Sequence, residues 1–174
     1  MKKFVALAVI ALLVSMSAYT FFQRAEPLAE QVTAVPLSER AVPNEALTTL
    51  HHEQAQLHDY IGKPTVLVFW ATWCIPCNEE LPEIQAFYEQ FHDSVNVLAI
   101  NATHTEASVE AVQQHVQQKQ WTFPIFIDET KQVSQTFGAF TVPTTVILTA
   151  DGEIAHEVYG PVDGAYIESI IATL

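Results

Sequence analysis

The chain has 174 residues, 49% of them hydrophobic, which allows one domain with its own core and a short N-terminal appendage. Its formal net charge is −13, with 20 acidic and 7 basic residues, and a surface of that sign repels the phosphate backbone of nucleic acids. The 2 cysteines, Cys74 and Cys77, are too few and too close together for a disulfide framework, so they point to chemistry rather than architecture.

The first element in chain order is an uncharged, mostly apolar segment, 4–22, which follows Lys2 and Lys3. As a helix it would be about 28 Å long, at about 1.5 Å per residue, which matches the hydrocarbon core of a bilayer. The two lysines favour a cytoplasmic N-terminus. We therefore predict a single-pass membrane anchor over residues 1–22, with the rest of the chain on the extracytoplasmic side. A cleaved signal peptide with its apolar region at 4–14 is the alternative.

A spacer is predicted between this segment and the folded domain. Residues 23–45 contain Pro27, Pro36 and Pro43 and sustain no period of 2 or 3.6 residues. The folded domain is then expected over residues 46–174.

Strand and helix patterns alternate along that domain. The unbroken apolar run Thr65 to Trp70 predicts a strand covered on both faces. Apolar residues at three- and four-residue spacing predict a helix from Cys74 to Phe91, bent at Pro82.

The remaining elements complete an α/β pattern. Thr103 and Glu106 fit a capping box and predict a helix from there to about Gln118. The other predicted elements are strands at 95–100 and 123–127, a short helix through Val133 and Phe137, a hairpin of 144–149 and 154–158 around Asp151-Gly152, and a helix at 163–174. A hairpin after alternating strands and helices indicates a mixed central sheet.

The two cysteines lie where a buried strand gives way to a helix. Unpaired backbone N–H groups and the helix dipole concentrate positive potential there, which stabilises a thiolate at Cys74. Cys77 falls one helical turn later, within reach of a mixed disulfide on Cys74. Pro76 suits the first helical turn, where its missing N–H costs nothing.

The segment Phe69-Trp70-Ala71-Thr72-Trp73-Cys74-Ile75-Pro76-Cys77 resembles the active-site segment of the thioredoxin superfamily. Asn78-Glu79-Glu80-Leu81-Pro82 and the additional β-α stretch at about 95–127 are similar to its membrane-anchored TlpA/ResA-like branch. Thr141-Val142-Pro143-Thr144 resembles the cis-proline loop of the superfamily, and Gly160 falls where these proteins have a glycine after the hairpin. The resemblance covers about residues 45–174 and implies a thioredoxin fold with a central β-α insert.

The resemblance also implies roles for individual residues. Cys74 would be the exposed nucleophile and Cys77 the resolving thiol, the two forming the redox disulfide. Pro143 would be cis, and the backbone at Val142 would pair with bound substrate. A tryptophan beside a reactive thiol suits a substrate-contacting surface, so Trp73 is predicted there together with Pro76.

One position departs from the superfamily pattern. Thioredoxins bury an acid immediately before the Phe-Trp pair, where this chain has Val68. Glu80 lies three residues after Cys77 on the predicted helix, so the two side chains should share a face. It also matches the acid that tunes thiol acidity in similar proteins, and burial would raise its pKa toward the working pH. Glu80 is therefore predicted to be catalytic; a helix-dipole role is the alternative.

Metal binding is an alternative interpretation of the cysteine pair. His92 has the spacing of a zinc finger from Cys77, but His104 is too distant for the second half of that motif. Copper delivery is conceivable because extracytoplasmic thiols bind Cu(I) and three histidines are close in sequence: His51, His52 and His58. We predict neither a metal nor a cofactor.

Function and partners follow from these features and from the resemblance. Disulfide-forming oxidases often have a histidine between the cysteines, whereas Ile75 and Pro76 lie there in this chain, which favours a reductase over an oxidase. Members of the branch reduce extracytoplasmic disulfides, notably in apocytochrome c before haem attachment. The expected partners are therefore a protein disulfide and a membrane thiol electron donor, with no nucleic acid. A monomer is expected.

Overall fold

The computed structural model describes residues 42–174 and, before them, only Ser15, Met16 and Tyr19, which are helical. Apart from these three residues, the predicted anchor at 1–22 lies outside the described residues, as does the predicted spacer at 23–45 up to residue 41. No helix within the described part of the chain is both long and apolar enough to cross a membrane.

The end of the predicted spacer is packed against the domain. Val42 is buried, and its N–H donates a hydrogen bond to the carbonyl oxygen of Gly152 at 3.1 Å. Residues 42–45 thus lead directly into the first strand.

Seven strands form one sheet within residues 42–174: β1 Ala46–Thr49, β2 Gln54–Gln56, β3 Thr65–Trp70, β4 Asn96–Asn101, β5 Ile125–Ile127, β6 Thr144–Leu148 and β7 Ile154–Tyr159. Their order is β2-β1-β5-β4-β3-β6-β7. The β3–β4 and β4–β5 pairs are parallel and the other four are antiparallel. The predicted α/β class with a mixed sheet is therefore confirmed.

Within residues 42–174, three α-helices connect strands and a fourth follows β7: α1 Ile75–Phe91, α2 Val109–Lys119, α3 Gln132–Thr136 and α4 Gly164–Ile171. Side chains of α1, α2 and α4 share one apolar core with Val66, Val68 and Trp70 of β3. The other face of β3, with Leu67 and Phe69, packs against α3 and the 3-10 segment at 57–60. All six residues of β3 are buried, as its apolar run predicted.

The predicted capping box at Thr103 and Glu106 is wrong. These residues belong to a 3-10 turn at Thr103–Thr105, and α2 begins only at Val109, where the Ser108 side chain accepts a hydrogen bond from the N–H of Ala111. The side chains of Thr103 and Glu106 form hydrogen bonds with other groups instead of with the backbone of a helix terminus. The Thr103 hydroxyl hydrogen-bonds Asn101, and the Glu106 carboxylate accepts hydrogen bonds from other parts of the chain.

Other differences from the predicted elements concern short or terminal segments. β1 and β2 were not predicted, and β5 begins at Ile125 instead of Phe123. Because Pro124 has no N–H to donate to a neighbouring strand, it suits the position just outside β5. The last helix begins after Asp163, whose side chain caps Tyr166, and ends at Ile171.

Candidate active site

Cys74 and Cys77 form a disulfide at the point where β3 passes into α1. Cys74 is the N-cap residue of the helix, and its Sγ accepts a hydrogen bond from the N–H of Cys77 at 3.2 Å. Cys74 is 4% exposed to solvent, and Cys77 is fully buried. Both cysteines are therefore buried in the oxidised protein, so the exposed nucleophile that the resemblance implied is not seen; the small remaining exposure belongs to Cys74 and not to Cys77. This asymmetry has the direction that a nucleophilic and a resolving cysteine require.

The loop before β6 lies beside this disulfide. Antiparallel pairing aligns Phe69 with Thr144, so Pro143 lies at the level of Trp70. The Val142–Pro143 peptide bond is cis, as the resemblance implied, and the Pro143 carbonyl accepts a hydrogen bond from the N–H of Gly160 at 3.0 Å. Pro143 is buried and Val142 is half-buried.

Glu80 lies one turn after Cys77 on the same side of α1 and is 3% exposed. Its Oε1 accepts a hydrogen bond of 3.4 Å from the Thr145 hydroxyl, and its Oε2 has no hydrogen-bond partner among the described residues. Burial raises the pKa of Glu80 to about 7, against smaller lowering effects of Thr145 and the Val162 backbone. This carboxyl group can therefore exchange a proton near neutral pH.

Glu80 lies close to the strand position of Val68, where the resemblance would place an acid. Val68 lies directly opposite Thr145 in the β3–β6 ladder, and Thr145 is the residue that hydrogen-bonds Glu80. Directly opposed residues of an antiparallel pair point to the same face of the sheet. The helix thus places a carboxyl group over the strand position where thioredoxins have their acid.

Several large hydrophobic side chains are exposed at the same end of the sheet as the disulfide. The four most exposed within residues 42–174 are Ile75 (73%), Phe140 (69%), Tyr159 (61%) and Trp73 (58%). All four lie at one end of the sheet, where β3 and β7 end and β6 begins. Pro76 is also exposed, in the first turn of α1.

A carboxylate that the sequence analysis did not assign to the site holds the chain just before Cys74. Glu106 Oε1 accepts hydrogen bonds from the Thr72 N–H at 2.6 Å and from Asn101 Nδ2 at 2.9 Å, and Oε2 accepts one from the Thr72 hydroxyl at 2.5 Å. The neighbouring Thr105 hydroxyl accepts a hydrogen bond from the Trp73 indole N–H at 3.1 Å.

Asn78 holds the same segment from the helix side. Its Nδ2 donates to the carbonyl oxygens of Thr72 and Cys74, both at 2.9 Å. Its Oδ1 is 2.9 Å from His115 Nε2, which must then be the protonated nitrogen. Burial lowers the pKa of His115, as does nearby Lys119, while Glu106 acts in the opposite direction.

A positional signal for Glu106 was present in the sequence. Thr72 follows β3 and Glu106 follows β4, and the carboxyl ends of neighbouring parallel strands meet at one edge of a sheet. The contact of Glu106 with Thr72 was not predicted because the sequence pattern indicated a helix cap at Glu106.

The histidines considered for copper are not assembled into a site. His51 and His52 are exposed between β1 and β2, and His58 Nε2 is 3.3 Å from the Val42 carbonyl oxygen. Across the described residues, no three histidine, cysteine or acidic side chains come together in a group able to hold a metal ion.

Comparison with known proteins gives a consistent family. Residues 39–157 match the model of the AhpC/TSA family. The chain is 33% identical to the thioredoxin-like protein YneN of Bacillus subtilis over 82% of this chain and 83% of that protein. It is 32% identical to the thiol-disulfide oxidoreductase ResA of Geobacillus kaustophilus over 92% and 89% of the two chains.

A solved structure gives the same result for the fold. The crystal structure of StoA from Bacillus subtilis aligns with a TM-score of 0.67 and 30% identity, covering 75% of this chain and 98% of that one. The thioredoxin-like fold expected from the active-site segment is therefore confirmed. With this fold, these relatives and a disulfide at the start of α1, the chain belongs to the AhpC/TSA family and is a thiol–disulfide oxidoreductase of the TlpA/ResA type.

Proposed function

We propose that this oxidoreductase reduces disulfides of protein substrates outside the cytoplasm. The Cys74 thiolate attacks one sulfur of the substrate disulfide, and the other sulfur leaves as a thiolate that takes up a proton. The Cys77 thiolate then attacks Cys74 Sγ, which closes the disulfide seen in the structure and releases the second substrate thiol. Two electrons pass to the substrate in each cycle, so a dithiol donor must reduce the protein again.

The observation that carries the proposal is the N-cap cysteine set in an exposed apolar surface. Trp73 and Ile75 are the sequence neighbours of Cys74, and Phe140 and Tyr159 are exposed at the same end of the sheet. Exposed aromatic and aliphatic side chains of this kind are typical of protein-binding surfaces. They favour a polypeptide disulfide over a small polar disulfide as substrate. Trp73, Pro76, Val142 and Pro143 are the contacts we assign to that substrate.

Glu80 is the group we assign to proton exchange with Cys77. Its burial next to the resolving cysteine, with a pKa raised by burial to about 7, supports that role. Glu80→Gln should fold, slow disulfide exchange and change the pH dependence of the rate between about pH 6 and 8. Glu79→Gln, at an exposed neighbouring position, is the matched control. An unchanged pH profile in Glu80→Gln would remove Glu80 from the mechanism.

The direction of electron flow is tested by the reduction potential. No charged residue lies between the cysteines to stabilise the reduced form, which supports a reductase. Equilibration of the purified protein with glutathione buffers should give a potential near that of thioredoxin, about −270 mV, or lower. A potential near −120 mV would instead identify an oxidase. Binding of Cu(I) by the reduced protein with a disulfide exchange rate near zero would favour copper delivery.

The membrane location and the pathway belong to the same proposal. Lys2 and Lys3 before the apolar segment support a single-pass anchor with the catalytic domain outside. Fusion of a reporter enzyme to the C-terminus tests that orientation. The resemblance to the TlpA/ResA-like branch supports cytochrome c maturation, with apocytochrome c as substrate. Deletion of the gene should then reduce covalent haem attachment, and normal attachment would remove this pathway while leaving the enzyme class intact.

A further inference from the structure

We propose that Glu106 is a positioning residue for the redox reaction, because it fixes the segment 71–74 that presents Cys74 at the start of α1. Glu106 does not belong to the redox motif and touches neither cysteine through a hydrogen bond. It acts through Thr72, two residues before the nucleophile.

The hydrogen bonds at Thr72 leave this residue little freedom. Its N–H and its hydroxyl donate to the two oxygens of Glu106, at 2.6 and 2.5 Å. Its carbonyl oxygen accepts from Asn78 Nδ2 at 2.9 Å. The peptide groups on both sides of Thr72 are therefore tied, one to the β4–α2 connection and the other to α1. Bonds to a carboxylate are among the stronger hydrogen bonds in proteins.

Glu106 itself is held in place. Asn101, fully buried at the end of β4, donates to Oε1 at 2.9 Å, and Asn101 also accepts a hydrogen bond from the Thr103 hydroxyl. The carboxylate is thus anchored to the central part of the sheet. The adjacent Thr105 accepts a hydrogen bond from the Trp73 indole, so the same turn also orients the exposed ring next to Cys74.

The hydrogen bonds at Thr72 matter most for the position of Cys74 after the disulfide is reduced. In the oxidised form the disulfide itself constrains Cys74. Once the disulfide is reduced, the position of Cys74 relative to the N–H groups of the helix depends on the backbone before it, including the Cys74 N–H to Ala71 carbonyl hydrogen bond at 3.2 Å. A displaced Cys74 would lose the helix N-terminus that stabilises its thiolate. Supporting contacts of this kind decide whether a reactive group is held accurately.

Variants at Glu106 separate hydrogen bonding from charge. Glu106→Ala removes all three hydrogen bonds, whereas Glu106→Gln keeps an oxygen for the Thr72 and Asn101 donors and a polar group beside the Thr72 hydroxyl. The full-length reduced protein is alkylated with iodoacetamide from pH 5 to 10, with mass mapping of Cys74. The rate at which the reduced protein exchanges disulfides with 5,5′-dithiobis(2-nitrobenzoate) is measured in parallel. Glu110→Gln, an exposed acid in the first turn of α2, is the matched charge control.

We expect Glu106→Ala to shift the Cys74 alkylation midpoint upward by about one pH unit and to slow the disulfide reaction about tenfold. Glu106→Gln should stay within about threefold of the original protein, and Glu110→Gln should not differ from it. A purely structural role would lower thermal stability without moving the alkylation midpoint, and that result would overturn the proposal. Equal losses in Glu106→Gln and Glu106→Ala would overturn it in favour of a charge effect.

Thr72→Val keeps the proposal testable if Glu106→Ala does not fold. Valine has nearly the shape of threonine but lacks the hydroxyl, so only the 2.5 Å hydrogen bond is lost. A smaller shift of the midpoint in the same direction is expected. An unchanged midpoint and rate in Thr72→Val would then contradict the proposal. Because alkylation is independent of the substrate and of the direction of electron flow, either result leaves the proposed reductase function untouched.

Discussion

At the scale of single residues, Glu80 shows how burial sets proton affinity. A carboxyl group that is 3% exposed and has one weak side-chain hydrogen bond at 3.4 Å holds its proton more tightly than it would in water. Its pKa of about 7, raised by burial, is useful for exchange chemistry at neutral pH. The same burial must have a cost to folding whenever the group is ionised.

That cost predicts a pH dependence of stability. Between about pH 4.5 and 7 the folded state retains the Glu80 proton that the unfolded state has lost, so the contribution of Glu80 to stability falls as pH rises. Well above pH 7, where Glu80 is ionised in both states, the full penalty is present, on the order of 3 kcal/mol. Urea unfolding of the oxidised Glu80→Gln variant should therefore show a gain over the original protein at pH 8 that disappears near pH 4. A constant difference at all pH values would contradict the assigned burial effect, and Glu79→Gln should show no such trend.

At the scale of elements, the start of α2 is determined by Ser108. Its hydroxyl oxygen accepts a hydrogen bond from the N–H of Ala111 at 3.2 Å and so satisfies one free donor of the first turn. We predict that Ser108→Ala lowers the free energy of unfolding by about 1 kcal/mol. Ser108→Asp keeps an accepting oxygen and should lose much less. Urea denaturation measures both, and equal losses would show that the cap is not the stabilising contact.

Elements determined by local pattern were predictable, and those that depend on distant partners were not. Thr65–Trp70 is an unbroken apolar run, and α1 follows a motif with a proline in its first turn, so both were predicted to within a residue. Strand β1 has only four residues, and two of them, Thr48 and Thr49, pair with β5, far along the chain. Its pattern is too short to distinguish it from a spacer.

The active site shows the same division. The cysteines and Glu80 are related by spacing along one helix, which the sequence displays. The contact of Thr72 with Glu106 spans 34 residues and depends on the order of β3 and β4 in the sheet. The local sequence pattern favoured a capping box at Glu106. The contact with Thr72 becomes evident only when β3 and β4 are known to be neighbours in the sheet.

At the scale of the whole molecule, charge should govern the encounter with substrate. Residues 42–174 contain 3 lysines, no arginine and 17 acidic residues. A surface of this sign attracts basic polypeptides over roughly a Debye length and repels acidic ones.

We predict that raising NaCl from 50 to 500 mM lowers kcat/KM for a basic protein disulfide by about tenfold. The rate with an uncharged small disulfide should change little, because no long-range attraction assists that encounter. Stopped-flow measurement of both rates is the test. A basic protein and an uncharged disulfide with the same salt dependence would show that charge does not steer the partner.

The complete burial of Cys77 offers a way to capture the partners of the protein covalently with a variant that lacks this thiol. Because Cys77 is fully buried and what small exposure the pair has belongs to Cys74, a Cys77→Ser variant should stop at the intermolecular disulfide and keep each partner attached. Complexes isolated from cells without reductant, and released with dithiothreitol, would then identify the physiological partners by mass spectrometry. Cys74→Ser should capture almost none of them. Comparable capture by both variants would mean that Cys77 becomes accessible in the reduced protein.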